Sequence, residues 1–396
     1  MVFGYPMDLV KHVISVFKQK FKKPPRAFMA PGRINLIGEH TDYNEGFVMP
    51  AAIDKHMVFA IAPSGNDRCN IYAADFDEGV TFSIQDLNPG QTWVNYLMGM
   101  VDSFQRRGLP VRGVDCVFGG NIPAGAGLSS SAALCCGFGF ALNEIFGLGL
   151  NRLDLVKTAQ SSEHRFVGAM VGIMDQYASL FGRENSVLLL DCRSMTHHYL
   201  PFHFPEVEIL LIDSRVQHAI ASTAYNDRRA ACEEGLWIIQ KQQPDVQSLR
   251  DVSRDLLYQN QDKLREEVFI KCLFVVEEIA RTQQAAALLQ ASDLKRFGDL
   301  MYQTHWGLSQ AYEVSCEELD VLVALAEEER NDVLGSRMMG GGFGGCTINL
   351  VRKGQEEMFK EKVRQKYFAT FKKEPDFYPV KLSEGVHTIP LPMTNP

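Results

Sequence analysis

Residues 120–134 read GNIPAGAGLSSSAAL, and no other stretch constrains the fold as much. A β-like run, Val114 to Phe118, ends at Gly119; a glycine loop follows, and three serines open an Ala-rich segment that runs to Phe146. A strand that feeds a helix through glycines leaves the first helical N–H groups free. Glycines also let the backbone come close to phosphate oxygens. The unit is therefore a candidate anion site, with Leu128 helping to anchor the turn. It is not a Walker A loop, because no GK[ST] follows the glycines and no GxxxxGK[ST] occurs elsewhere. Without a loop lysine, the charge of β- and γ-phosphates must be met by helix-start amides, a metal and other residues. Ser131 carries a hydroxyl suited to Mg²⁺, which takes hard oxygen ligands and keeps several waters. The loop alone fits equally well a glycine turn closed by a serine cap.

The rest of the chain narrows the class. Its 396 residues are 46% hydrophobic and 22% charged, as expected of a folded protein with two or three domains. A net charge of -8 does not favour a nucleic-acid backbone or an anionic membrane surface. The nine cysteines are scattered and form no CxxC, which points to reduced thiols in a cytoplasmic protein rather than disulfides or a zinc site. Asp8, Lys11 and His12 interrupt any apolar core at the amino terminus, so no signal peptide is expected. The most apolar stretch, Ala132 to Leu142, is shorter than the roughly 20 residues that span a bilayer.

Periodicity predicts an amphipathic helix from near Pro6 to Pro24, then strands at Met57–Ala62, Asn70–Ala73, Val80–Ile84 and Val114–Phe118. Helices are predicted over Thr92–Phe104, Ser129–Phe146, Leu153–Val167 and Ala169–Phe181, before a strand at Val187–Asp191. A second half begins with the strand Val207–Asp213. It continues with helices at Ser222–Gln240 and Leu264–Leu289, the strand Thr347–Val351 and a helix at Gln355–Tyr367. The order lacks regular βαβ alternation, so an α+β fold is expected, divided into residues 1–200 and 201–396.

Three further segments hold candidate chemistry. APGRINLIGEHTDYNEGFVMPAAI, residues 30–53, crowds Arg33, Glu39, His40 and Asp42 among apolar neighbours. Polar groups so placed need partners if buried. The carboxylates and imidazole suit sugar hydroxyls, and the Arg33 fork suits a phosphate or carboxylate; a polar turn between two strands is the plainer reading. GIMDQYASLFG, residues 172–182, sets Asp175 in an apolar run, where burial raises and an arginine lowers a carboxyl pKa. Glu163, on the preceding helix, reads by itself as a solvated carboxylate. MMGGGFGGCTI, residues 338–348, has five glycines in six positions, which allow close backbone approach but also fit a flexible hairpin.

In this order the four segments resemble the GHMP small-molecule kinases, and the first sugar-type segment resembles the galactokinase branch. The GIMDQ and AYNDRR segments match as well; the likeness covers nearly the whole chain and is weakest between about Gln243 and Tyr312. It implies two α+β lobes with the active site between them, and an ATP- and Mg²⁺-dependent enzyme that phosphorylates galactose at its anomeric hydroxyl; a monomer is the default expectation, and the thiol pattern points to the cytoplasm. By the same resemblance Asp175 and Arg33 are catalytic, and Glu39, His40, Thr41, Asp42, Gly172, Asp175 and Tyr225 hold the sugar. Gly125, Ala126, Gly127, Leu128, Ser129, Ser130 and Ser131 cradle the triphosphate, Trp93 and Tyr96 lie near adenine, and Ser131 and Glu163 position the metal. Alternatives within the family are an N-acetylgalactosamine kinase or another sugar 1-kinase; a mevalonate-type kinase fits the EHTDY segment less well. Outside catalysis the alternative is a galactose- and ATP-binding sensor. Such sensors resemble the kinases but lose the Ser–Ala pair after the glycine loop, and here Ser131 and Ala132 are both present.

Overall fold

In the computed structural model, residues 7–90, 93–216 and 221–391 are described. Thirteen strands occur among them: β1 Arg26–Asn35, β2 Phe47–Val48, β3 Pro50–Pro63, β4 Arg68–Ala73, β5 Glu78–Ser83, β6 Val114–Gly120, β7 Ser186–Asp191, β8 Thr196–Pro201, β9 Val207–Asp213, β10 Val333–Met338, β11 Cys346–Arg352, β12 Asp376–Val380 and β13 His387–Ile389. They form a six-stranded sheet ordered β13-β1-β3-β6-β4-β5, a four-stranded sheet ordered β10-β11-β9-β12 and a small sheet ordered β2-β7-β8.

Strand alternation explains how helices cover both large sheets. On β1, Ala27 and Met29 pack with Val10, Val13 and Phe17 of the helix Met7–Phe21. Their neighbours Phe28 and Ala30 face the other way, onto Ala133, Cys136 and Phe138 of the helix Ser130–Phe146. On β9, Ile209 and Leu211 pack with Ala285 and Phe297, while Leu210 and Ile212 pack with Phe359, Val363 and Tyr367. One apolar cluster spans the junction of the two sheets. It takes Ile34 from the first with Leu36 and Ile37 just past its strand, Leu211 and Ile348 from the second with Met339 just past its strand, and Ala126 and Leu128 from the glycine loop. The cleft is thus floored by packed side chains that fix the glycine loop at the seam.

The expected elements are found with three informative differences. Pairing begins at β1 and extends β3 back to Pro50, whereas periodicity starts the first strand at Met57. Arg26–Asn35 is buried on every residue but the first, and β3 opens with four buried residues, so neither shows polar–apolar alternation there. The helix predicted from Ala169 begins only at Met174, and Gly168–Gly172 is irregular chain. The helix predicted through Val167 is regular over Arg152–Ser162 and then widens into a π turn at Glu163–Val167. Pro6 and Thr92, the expected starts of two helices, lie outside the described residues. The expected division at residues 200/201 falls one residue before the end of β8, and β13 carries the chain back to pair with β1. All nine cysteines are free, and no helix of the described residues is long and apolar enough to cross a membrane.

Candidate active site

Arg33 and Asp175 meet at the centre of the cleft. The register of β1 against β3 shifts between Pro31 and Arg33, a bulge that re-aims the strand as it reaches the glycine loop. Gly32 sits at this bulge; a Cβ there would lie 2.8 Å from the Leu128 carbonyl, so only glycine lets the loop lie against the strand. The Arg33 N–H donates to that same carbonyl at 3.2 Å. Its guanidinium forks onto Asp175, Nε to Oδ1 at 2.6 Å and Nη2 to Oδ2 at 2.7 Å, and Nη1 donates to the Gly127 carbonyl at 2.7 Å. Burial opposes the Arg33 charge, but the Asp175 carboxylate outweighs it and holds the guanidinium above its ordinary pKa.

The glycine loop settles one alternative. Ser129 stands at the N-cap of the helix Ser130–Phe146 with φ +57°, and its side chain makes no capping bond. The hydroxyl donates instead to Asp175 Oδ2. The serine-cap reading therefore fails, and the first amides of the helix stay available to an anion. Ala126 and Leu128 are buried in the seam while Gly125 and Gly127 are exposed, so the loop is pinned by two side chains and presents backbone outward.

A cavity of about 250 Å³ opens beside the pair. Arg33, Glu39, His40, Asp42, Gly172, Asp175 and Tyr225 all line it. The buried Glu39 carboxylate accepts from the Gly340 N–H at 2.8 Å and from Arg337 at 2.9 Å. His40 Nδ1 lies 2.8 Å from the Tyr43 hydroxyl, and its buried Nε2 makes no hydrogen bond of normal geometry within the described protein. Burial, with the Arg228 and Arg337 charges adding, pushes the imidazole down to about 3, so it is neutral near pH 7. Burial and the Asp175 charge push Asp42 up to about 6. Its Oδ2 accepts from the Met174 N–H at 3.3 Å, and a Cβ at Gly172 would fall 1.7 Å from that oxygen. Glycine at 172 is therefore the condition for Asp42 to reach the start of the Asp175 helix. Thr41 lies apart from this group: its buried hydroxyl donates to the Gly38 and Phe47 carbonyls and braces the loop.

Glu163 and Ser131 come together behind the loop. Burial pushes Glu163 up to about 7; hydrogen bonds from Gln176 and Ser131 and the Arg33 charge pull the other way. Gln176 Nε2 donates to Glu163 Oε1 at 2.6 Å. No cluster of three His, Cys, Asp or Glu suited to a metal occurs among the described residues. One carboxylate and one hydroxyl still suit Mg²⁺, which completes its shell with phosphate and water. Trp93 and Tyr96 do not line the cavity. Trp93 stacks edge-on against Phe118 at 5.2 Å and donates to Glu78, while Tyr96 lies toward Glu163, with burial pushing its phenol up to about 12.

Several contributors escaped the sequence reading. Arg337 on β10 is fully buried against the sugar-type loop. Ala169, Met170 and Val171, read as helix, line the cavity instead, with Asn226 and the glycine loop at 340–343. Tyr43, Tyr312 and Cys232 continue a polar chain behind His40, at 2.9 Å between the hydroxyls and 3.3 Å to the thiol. Sequence offered one usable signal, an arginine immediately before the methionine-glycine run that starts at Met338, but nothing in it named the partner.

The chain is similar to known proteins along nearly its whole length. Residues 15–63 match the galactokinase galactose-binding signature, residues 95–183 the GHMP kinases N terminal domain and residues 285–369 the GHMP kinases C terminal domain. The chain is 38% identical to a galactokinase of Thermosipho africanus, over 91% of this chain and 99% of that one. It is 36% identical to a galactokinase of Clostridium acetobutylicum, over 97% and 100%. Its structure is similar to that of Lactococcus lactis galactokinase complexed with galactose, with TM-score 0.92 and 31% identity over 96% and 99% of the chains.

Proposed function

This chain belongs to the galactokinase family of the GHMP kinases, with their two-lobed α+β fold, and from that premise we propose how its residues work. The enzyme transfers the γ-phosphoryl group of ATP to the anomeric hydroxyl of D-galactose, giving galactose 1-phosphate and ADP. The observation that carries the residue assignment is the two-pronged Arg33–Asp175 pair, set between the glycine loop and a cavity lined by Glu39, His40 and Asp42.

The sugar sits in that cavity with its anomeric oxygen toward Asp175. Oδ2 already accepts two hydrogen bonds and Oδ1 one, so Oδ1 has the capacity to take or orient the hydroxyl proton. The oxygen so oriented attacks the γ-phosphorus in line, and ADP leaves. Arg33 touches Asp175 and the loop at once, which supports a role for its charge in stabilising the equatorial phosphoryl oxygens. Neutral His40, Glu39, Asp42 and Tyr225 hold the ring hydroxyls, and Gly172 lets Asp42 into position. The backbone from Gly125 to Ser131 cradles the triphosphate. Ser131 and Glu163 would hold Mg²⁺, which supplies charge neutralisation on the phosphates. Trp93 and Tyr96 flank the adenine end from outside the cavity. We take residues 1–200 and 201–396 as the two units, the second lending β13 to the first, in a cytoplasmic monomer.

The test is ADP release by the purified protein with ATP and Mg²⁺ across galactose, N-acetylgalactosamine, glucose, arabinose and mevalonate. Release with galactose alone is expected. Faster release with another sugar would move the substrate assignment. None from a folded, ATP-binding protein would point to binding without transfer.

A further inference from the structure

Arg337 stands on the second sheet with no exposed surface, yet its guanidinium is spent on the sugar-binding loop of the first. Nε donates to the Leu36 carbonyl at 2.8 Å, and Nη1 to the Met338 carbonyl at 2.7 Å. Nη2 donates to the Asn35 carbonyl and, at 2.9 Å, to Glu39 Oε1. The Gly340 N–H takes the same oxygen at 2.8 Å. Both protein bonds to this carboxylate thus fall on Oε1. No described residue bonds Oε2, and Glu39 lines the cavity. A carboxylate held by one oxygen presents the other in a fixed direction as a charged acceptor.

We infer that Arg337 is a positioning residue for sugar selection: it orients Glu39 so that Oε2 meets one particular hydroxyl of the sugar. The inference rests on Glu39 being a sugar ligand. It is separable from a general role in holding the loop, because the loop has a second clamp, the Gly38 N–H donating to buried Glu278 at 3.0 Å. Lysine cannot replace Arg337, since one ammonium does not reach acceptors spread around a planar fork.

The experiment compares kcat/KM for galactose and the 2-, 3-, 4- and 6-deoxygalactoses in the wild type, Glu39→Gln, Arg337→Lys and Arg337→Gln, with melting curves to confirm folding. In the wild type one deoxy position, the hydroxyl that meets Glu39, is expected to lose roughly ten- to a hundredfold. That penalty should shrink to about threefold or less in Glu39→Gln and in both Arg337 variants. KM for galactose should rise, with kcat and KM for ATP within a few-fold. Folded Arg337 variants that keep the full penalty, or that lose kcat and ATP affinity alongside sugar affinity, overturn the inference while leaving Glu39 a ligand. An unchanged deoxy profile in Glu39→Gln overturns both. If neither Arg337 variant folds, Glu39→Asp asks the same question with the clamp intact. The shorter carboxylate, drawn toward Arg337, should lose the penalty, and retention would contradict a fixed Oε2.

Discussion

Arg33–Asp175 and Arg337–Glu39 are both arginine–carboxylate pairs that join distant parts of the chain, yet the first is far more open to solvent than the second. The Asp175 side chain keeps 26% of its surface exposed, whereas Arg337 and Glu39 keep 0% and 2%. In the open pair the fork engages both carboxylate oxygens, and the arginine also touches the glycine loop. In the sealed pair a single nitrogen meets a single oxygen, and the remaining donors satisfy backbone carbonyls. The open pair can exchange its partners for a substrate during turnover. The sealed pair cannot, because an uncompensated charge left in its place has no water to turn to.

This contrast can be broken from either side. Asp175→Asn should lower kcat by about a thousandfold or more, measured by steady-state kinetics, in a protein that urea unfolding still shows to be folded. Near-normal turnover would remove Asp175 from the chemistry. Arg33→Lys keeps the charge but loses the fork, and kcat should fall by roughly a hundred- to a thousandfold; an unchanged kcat rejects the role of the planar geometry. Arg337→Met should do the reverse of Asp175→Asn, with unfolding free energy lower by about 3–5 kcal/mol. A loss below about 1 kcal/mol would show that water reaches the pair after all.

Two smaller effects sharpen the picture around the open pair. Gly172→Ala should raise KM for galactose roughly tenfold, with KM for ATP unchanged, because the added methyl displaces Asp42. The last concerns pH. Glu163 has a folded pKa of about 7 against an ordinary 4.5, so the native state binds the extra proton between those values and ionisation costs stability as pH rises through that window. Glu163→Gln should therefore melt a few degrees higher than wild type at pH 8 and no higher at pH 5. Activity runs the opposite way: as pH falls from 8 to 5, Glu163 and then Asp42, at about 6, take up protons and kcat/KM for galactose should decline. Added Mg²⁺ should shift that decline to lower pH.

The open pair was legible in the sequence and the sealed one was not, for a physical reason. Arg33, Glu39, His40 and Asp42 stand within ten residues of each other, and Asp175 interrupts an apolar run, so their residue types already conflict with plain burial. Arg337 is one arginine shortly before a glycine run, and two of the three carbonyls it satisfies, Asn35 and Leu36, lie at the end of a distant strand; no local pattern reports them. Met170 and Val171 fit a helical pattern because apolar residues that line a cavity mimic an apolar helix face. The strand Arg26–Asn35 was missed because burial on both sides erases alternation. Thr41 sits among the ligand-type residues, but its hydroxyl turns to the loop's own carbonyls.

The central claim is transfer to the anomeric oxygen in this cleft, and proton-coupled ³¹P NMR of the product from ATP, Mg²⁺, galactose and the purified protein tests it most directly. Phosphorus on the anomeric oxygen couples to the single proton of that carbon, so the account predicts a doublet that collapses when the anomeric proton is irradiated. A triplet from the two protons of the sixth carbon would place the acceptor hydroxyl elsewhere, and the orientation of the sugar toward Asp175 would be wrong.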